Sequence, residues 1–171
     1  MSNKDNLVSA QQVREMFFYD PNSGIFTRLI GGGNRMAGST VGSNDMYGYK
    51  TVRINIVGKR SGKSYKLHRL AWLYVYGTWP IGDIDHINGD RSDNRISNLR
   101  DVSRQTNLQN QRMAKNNKST GLLGVYPDKN RFTAKISVNN KSVHLGNFNT
   151  ALEASEAYVD AKRKLHAGCM I

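Results

Sequence analysis

Leu7, Ala10, Val13, Met16 and Phe17 recur at three- and four-residue intervals, the spacing that gives a helix one apolar face. The pattern predicts a helix within residues 7–19, with Ser9 as its candidate cap. Asp20-Pro21-Asn22-Ser23-Gly24 reads as a turn, Ile25 to Ile30 as a short strand, and glycine-rich residues 31–43 as a loop. The period then becomes two over Tyr49 to Ile56, a half-exposed strand whose partner is Ser64 to Leu67. Between them, Gly58 to Ser64 imitates a phosphate-binding loop, but three residues rather than four separate its glycines and a strand follows, so it is a hairpin turn. Leu67, Leu70, Ala71, Tyr74 and Val75 make a short amphipathic helix, ended by Gly77 and Pro80. Further on, Ile84 to Ile87 and Asn98 to Val102 read as strands around a polar loop at 88–94, and Ser103 caps a helix containing Asn107.

Composition narrows the class. The 171 residues carry 25 Lys+Arg against 13 Asp+Glu, a net charge of +12 with a pI near 10.0, which favours a polyanionic partner, nucleic acid before membrane. At 38% hydrophobic residues with 16 glycines, small α+β modules with short cores are expected rather than one large core. One cysteine excludes an internal disulfide and Cys-rich structural zinc, and implies a reducing cytoplasm. The longest apolar run, Leu70 to Tyr76, is far short of a membrane span, and the N-terminus lacks the apolar stretch of a secretory signal. The charge is uneven: +7 over residues 1–80, +1 over 81–116 and +4 over 117–171. A carboxylate-rich centre between basic flanks is what a metal-dependent nuclease needs, although Asp and Asn also form turns.

That centre contains Asp85-His86-Ile87-Asn88-Gly89-Asp90, then Asp93-Asn94-Arg95 and Asn98-Leu99-Arg100. Phosphodiester hydrolysis needs a base to activate water and a cation to stabilise charge on the leaving oxygen. His86 suits the base, because a neutral imidazole is available near pH 7. Asp85 would face a hard metal, Mg2+ or Mn2+. Singly, each of these residues is more often structural; the ordered strand–loop–strand–helix set closely resembles the HNH nuclease motif, a ββα-metal fold, in its phage and intron-encoded branch. The resemblance implies that the residue twelve positions after the histidine orients the imidazole, and that one nine further on completes the metal site. Those positions are Asn98 and Asn107, with Asn94 and Asn110 as their nearest rivals. Asn98 is preferred because a residue on the second strand faces the first. Arg91, Arg95, Arg100 and Arg104 are candidate phosphate contacts, and His68 is read as structural or DNA-contacting rather than a ligand.

Past a polar linker at 113–119, three period-two runs and a helix follow: Gly124-Val125-Tyr126, Arg131 to Ile136, Val143 to Phe148, and a helix capped by Thr150 with Glu153. Ala154, Ala157, Tyr158, Ala161 and Leu165 form its sheet-facing stripe. The order Gly-Val-Tyr, Phe-x-Ala-x-Ile, Leu-Gly-x-Phe and Glu-Ala-x-x-Ala-Tyr is similar to the plant ethylene-response-factor DNA-binding domain. Phe132 stands where that domain usually has tryptophan. The resemblance implies that the sheet enters the major groove, with Tyr126, Lys129, Arg131, Lys135, Ser137, Lys141 and His144 as the matching positions.

Together these features lead to four segments: a DNA-contacting region at 1–64, a nuclease core at 65–112, the linker, and a DNA-binding domain at 120–166. The expected activity is that of an HNH homing endonuclease cutting double-stranded DNA with one divalent metal, acting in a bacterial cytoplasm and nicking as a monomer. No membrane or small-molecule partner is expected. A DNA-binding regulator without cleavage is the alternative, and charge alone also permits an RNA binder.

Overall fold

The structure, a computed structural model, describes residues 8–55, 62–112, 114, 117 and 119–170. The chain divides into two compact units, 1–102 and 103–171, where the sequence suggested four segments. The mixture of short helices and small antiparallel sheets is the expected α+β class. Among the described residues no helix is long and apolar enough to cross a membrane.

In the first unit, α1 (Ala10–Met16) is shorter than its apolar spacing predicts. Ser9 caps it, its side chain accepting from the Gln12 N–H while the Gln12 side chain accepts from Ser9 N. At Phe17 the backbone becomes extended, and β1 (Phe17–Asp20) pairs with β2 (Ile25–Arg28) across the expected turn. Alternation wins here because Phe17, Tyr19 and Phe26 all bury fully in one cluster, which a continued helix would have spread around its circumference. A second sheet has the order β3 (Ser43–Asn44), β4 (Lys50–Ile54), β5 (Lys63–Lys66). The turn expected at 58–64 lies largely outside the described residues. β5 runs directly into α2 (Leu67–Tyr76), which Gly77 ends in the left-handed conformation with φ +75°.

The third sheet is the hairpin of β6 (Asp83–His86) and β7 (Leu99–Val102), with Asp85 opposite Arg100 and His86 opposite Leu99. Asn98 falls just before β7, in a 3-10 turn over Ile96–Asn98, rather than on the strand. One core joins all these pieces: Val13, Phe17, Phe26, Val52, Tyr65, Leu67, Leu70, Leu73, Ile84 and Leu99 belong to a single buried cluster. Residues 8–54 therefore form the wall against which the β6–β7 hairpin packs, besides whatever surface they offer.

The second unit begins with α3 (Arg104–Gln109), capped by Ser103. A three-stranded antiparallel sheet follows, β8 (Val125–Asp128), β9 (Arg131–Val138) and β10 (Lys141–Phe148), with β9 central. Packed on it is α4 (Ala151–Leu165), with the expected Thr150–Glu153 capping box. Val125, Ala134 and Ala154 bury at the sheet–helix contact with Phe132, Leu145 and Phe148 beside them. The helix stripe differs at its end. Leu165 is exposed, while Lys162 is buried with its ammonium donating to the Gln111 carbonyl. A lysine's apolar stem fills the position and its head finds a backbone oxygen.

Candidate active site

Asp85 and His86 are both buried on β6. A carboxylate in such a place must be compensated, and the hairpin register supplies the compensation. Arg100, directly opposite on β7, places Nε at 2.8 Å and Nη2 at 2.6 Å from Asp85 Oδ2. Arg100 was expected on a DNA phosphate; here its guanidinium grips the candidate metal carboxylate. The sequence signal for this was the cross-strand register of opposite charges.

The amide beside the imidazole is a correction. Nε2 of His86 meets Oδ1 of Asn94 at 3.2 Å, whereas Asn98 was expected there. Asn98 instead spans the loop that leads back from β6: its Oδ1 accepts from Asn88 N at 3.0 Å and its Nδ2 donates to Asp93 O at 2.8 Å. The physical reason lies in the 3-10 turn, which takes Asn98 off the strand and lets its short side chain satisfy two backbone groups. Asn94, although in the loop, is buried at 1% exposure and reaches the ring. Because an amide oxygen only accepts, Nε2 carries the proton and Nδ1 the lone pair.

Asn94 is itself held by the β1–β2 hairpin. The Tyr19 hydroxyl donates to Asn94 O at 2.7 Å, and the Ile96 N–H donates to Pro21 O at 3.2 Å. Burial pushes the Tyr19 phenol well above its ordinary value. Gly24, at φ +71°, approaches so closely that a Cβ there would meet Arg95 N at 2.4 Å.

Around His86 stand two further rings. His68 lies edge-on with centroids 5.0 Å apart, and Tyr49 is 6.0 Å from His86 and 5.2 Å from His68. His68 Nδ1 is buried without a hydrogen-bond partner. Desolvation lowers the pKa of His68 well below the usual imidazole range, with His86, Lys66 and Arg69 adding to it. Desolvation also lowers that of His86, opposed by the Asn94 hydrogen bond and by Asp85, Asp90 and Asp93. Both shifts favour the neutral imidazole. Tyr49 carried no signal in the sequence beyond its strand periodicity.

Of the remaining candidates, Arg91 donates through Nη1 to Tyr47 O at 2.9 Å and lies 5.1 Å from the Tyr49 ring centroid. Arg95 clasps Asp93 through Nε and Nη2 at 2.9 and 2.6 Å, and this holds the Asp93 carboxyl down at about 2. Arg104 and Asn107 lie on α3 and Asn110 is its C-cap, all in the second unit. In that unit Tyr126, Lys129, Arg131, Lys135, Ser137, Lys141 and His144 are all exposed. Arg131 donates to Asn149 Oδ1 through Nε and Nη2 at 3.3 and 3.2 Å.

A divalent cation is tested by donor chemistry. Among the described residues no group of three or more His, Cys, Asp or Glu side chains could hold a metal. Asp85 offers a buried carboxylate, a hard oxygen donor, while the loop's Asn94, Asn98 and Asp93 oxygens are engaged by His86, Asn88 and Arg95. A carboxylate oxygen is the donor type that hard, water-retaining divalent ions take.

Residues 65–109 match the family model described as HNH endonuclease. No curated protein matches the chain significantly. Among solved structures, one titled "DNA binding and cleavage by the HNH homing endonuclease I-HmuI" is similar, with TM-score 0.43 and 18% identity, covering 89% of this chain and 88% of that one. The strand that carries Asp85 and His86, the loop that carries Asn94 and the helix α2 that carries His68 all lie within residues 65–109, the segment that matches the HNH endonuclease model.

Proposed function

We propose that this protein is a DNA endonuclease of the HNH homing type that hydrolyses phosphodiester bonds of duplex DNA. The observation that carries the reading is His86: buried on β6, tautomer set by Asn94 and ring walled by His68 and Tyr49, within the family-matched segment. Nδ1 of His86 takes a proton from water as the water oxygen attacks phosphorus. The bond to the 3′ oxygen breaks, that oxygen takes a proton from solvent, and 3′-hydroxyl and 5′-phosphate ends result. When bound, a divalent metal at Asp85 supplies Lewis-acid stabilisation of the charge on the leaving oxygen. Arg100 keeps the Asp85 carboxylate in place on the hairpin. Asn107 is proposed as a second metal ligand on the sequence order alone.

One His-centred site per chain makes nicking by a monomer the proposed outcome. The exposed face of the β8–β10 sheet, with Tyr126, Lys129, Arg131, Lys135 and Lys141, is proposed to bind flanking duplex. It would act in the manner of the ethylene-response-factor domains that its sequence resembles. Action on DNA in a bacterial host cell, from a phage-encoded gene, completes the reading. Supercoiled plasmid incubated with protein and Mg2+ should yield open circles, and EDTA should stop this without releasing the DNA. His86→Ala should cut at least about 100-fold more slowly with duplex binding nearly unchanged. Equal loss of binding and cutting would overturn the role assigned to His86, and no open circles with the intact protein would overturn the endonuclease reading in favour of a DNA-binding regulator.

A further inference from the structure

Two large apolar side chains stand in water on the turn that leads into Tyr49: Met46 is 87% exposed and Tyr47 61%. The turn that presents them is built, not loose. Asp45 Oδ1 accepts from Tyr47 N at 2.8 Å and from Tyr49 N at 3.0 Å. Asp45 N donates to Tyr49 O at 2.8 Å, and Gly48 N to Asp45 O at 3.0 Å, with Gly48 at φ +84°. A further clamp comes from the nuclease segment, where Arg91 Nη1 donates to Tyr47 O at 2.9 Å.

This turn leads into Tyr49, whose ring neighbours the imidazole. Tyr49, whose ring centroid lies 6.0 Å from that of His86, follows Tyr47 by two residues, so their Cα atoms are within about 7 Å. Two cations flank the same ring: Lys66 Nζ is 3.7 Å from the Tyr49 centroid, and the Arg91 guanidinium carbon 5.1 Å. Exposed apolar side chains on a hydrogen-bonded turn bordered by cations complement a surface that alternates stacked bases with phosphates. Proteins that kink DNA use such wedges, inserting an apolar side chain at a base step while basic groups hold the backbone. An aromatic ring also stacks on any base, so the contact is sequence-tolerant.

We propose that Met46 and Tyr47 form a wedge that enters the base stack of duplex DNA beside the phosphate addressed by His86. The inference rests on the endonuclease reading above and adds to it a means of distorting the duplex at the cut. Lys66 and Arg91 take the phosphates on either side of the insertion.

The test uses the full chain and a duplex oligonucleotide spanning a nick mapped first on plasmid, with 2-aminopurine at each base next to the nick. Binding is measured in EDTA, so that no cutting intervenes. The intact protein and Tyr47→Phe should raise the fluorescence of at least one probe several-fold. Tyr47→Ser and the double variant Met46→Ser/Tyr47→Ser should abolish the rise and slow nicking at least about tenfold. Both side chains are exposed, so the variants should unfold at the parent's temperature. Nicking by the intact protein with no fluorescence change, or a change retained in the double variant, would overturn the wedge alone. Failure of the intact protein to bind or nick duplex DNA would overturn the endonuclease reading, and the wedge with it.

Discussion

Removing the Asn94 amide takes away the acceptor to which Nε2 of His86 donates, and with it the bias that leaves the lone pair on Nδ1. Asn94→Ala should therefore slow nicking by about 10- to 100-fold, part of what a positioned base contributes, with Kd for duplex DNA nearly constant. Asn98→Ala should act differently. It leaves Asn88 N and Asp93 O without their side-chain partner, at a cost of about 2 kcal/mol in urea unfolding. A stability loss confined to Asn94→Ala, with Asn98→Ala controlling only the rate, would reverse the two roles. Spacing from the histidine could not separate these asparagines, because both sit on the same loop. What separates them is a 3-10 turn that the sequence pattern did not reveal.

At the scale of elements, the β1–β2 hairpin is the support of the loop that carries Asn94. Tyr19 and Pro21 bond to Asn94 and Ile96, and Gly24 lets the two backbones touch. Tyr19→Phe should cost about 1 kcal/mol of stability, the net worth of one buried hydrogen bond. Gly24→Ala adds both a disfavoured positive φ and a backbone clash at Arg95. It should lower the melting temperature more than Tyr19→Phe and also slow nicking, as the displaced loop carries Asn94 away from the ring. Nicking at the parent's rate by a destabilised Gly24→Ala would separate the hairpin from catalysis. The turn at residues 20–24, the β4 and β5 strands, α2 and the C-terminal sheet with its helix were all legible from period and caps. The end of α1 was not, because Phe17 fits a helical stripe and a strand equally well. Only the place of Tyr19 and Phe26 in the shared core decides between them.

For the whole molecule, the +12 charge makes duplex affinity steeply salt-dependent, since each phosphate neutralised releases a counterion. Log K against log salt should fall with a slope of several units for the full chain. A slope near zero would remove the electrostatic basis of DNA binding. Stability should vary with pH through His68. Its folded pKa is depressed mainly by desolvation, so the unfolded chain binds a proton that the folded one resists. The stabilising difference is complete above the unfolded value of about 6.5 and is lost as pH falls below it toward the folded value. Melting temperature should thus drop between pH 7.5 and pH 5.5, and His68→Phe should flatten the drop; an unchanged slope would contradict the burial of His68. The sequence by itself determined the α+β class, the strong positive charge and the pairing of Asp85 with His86 on one strand, because periodicity, charge and residue type are local properties. Only the tertiary structure decided which asparagine meets the imidazole, that Arg100 holds Asp85, and that residues 8–54 share the core of the β6–β7 hairpin. Those contacts join residues distant in the chain, and their partners are chosen by packing, which no local pattern records.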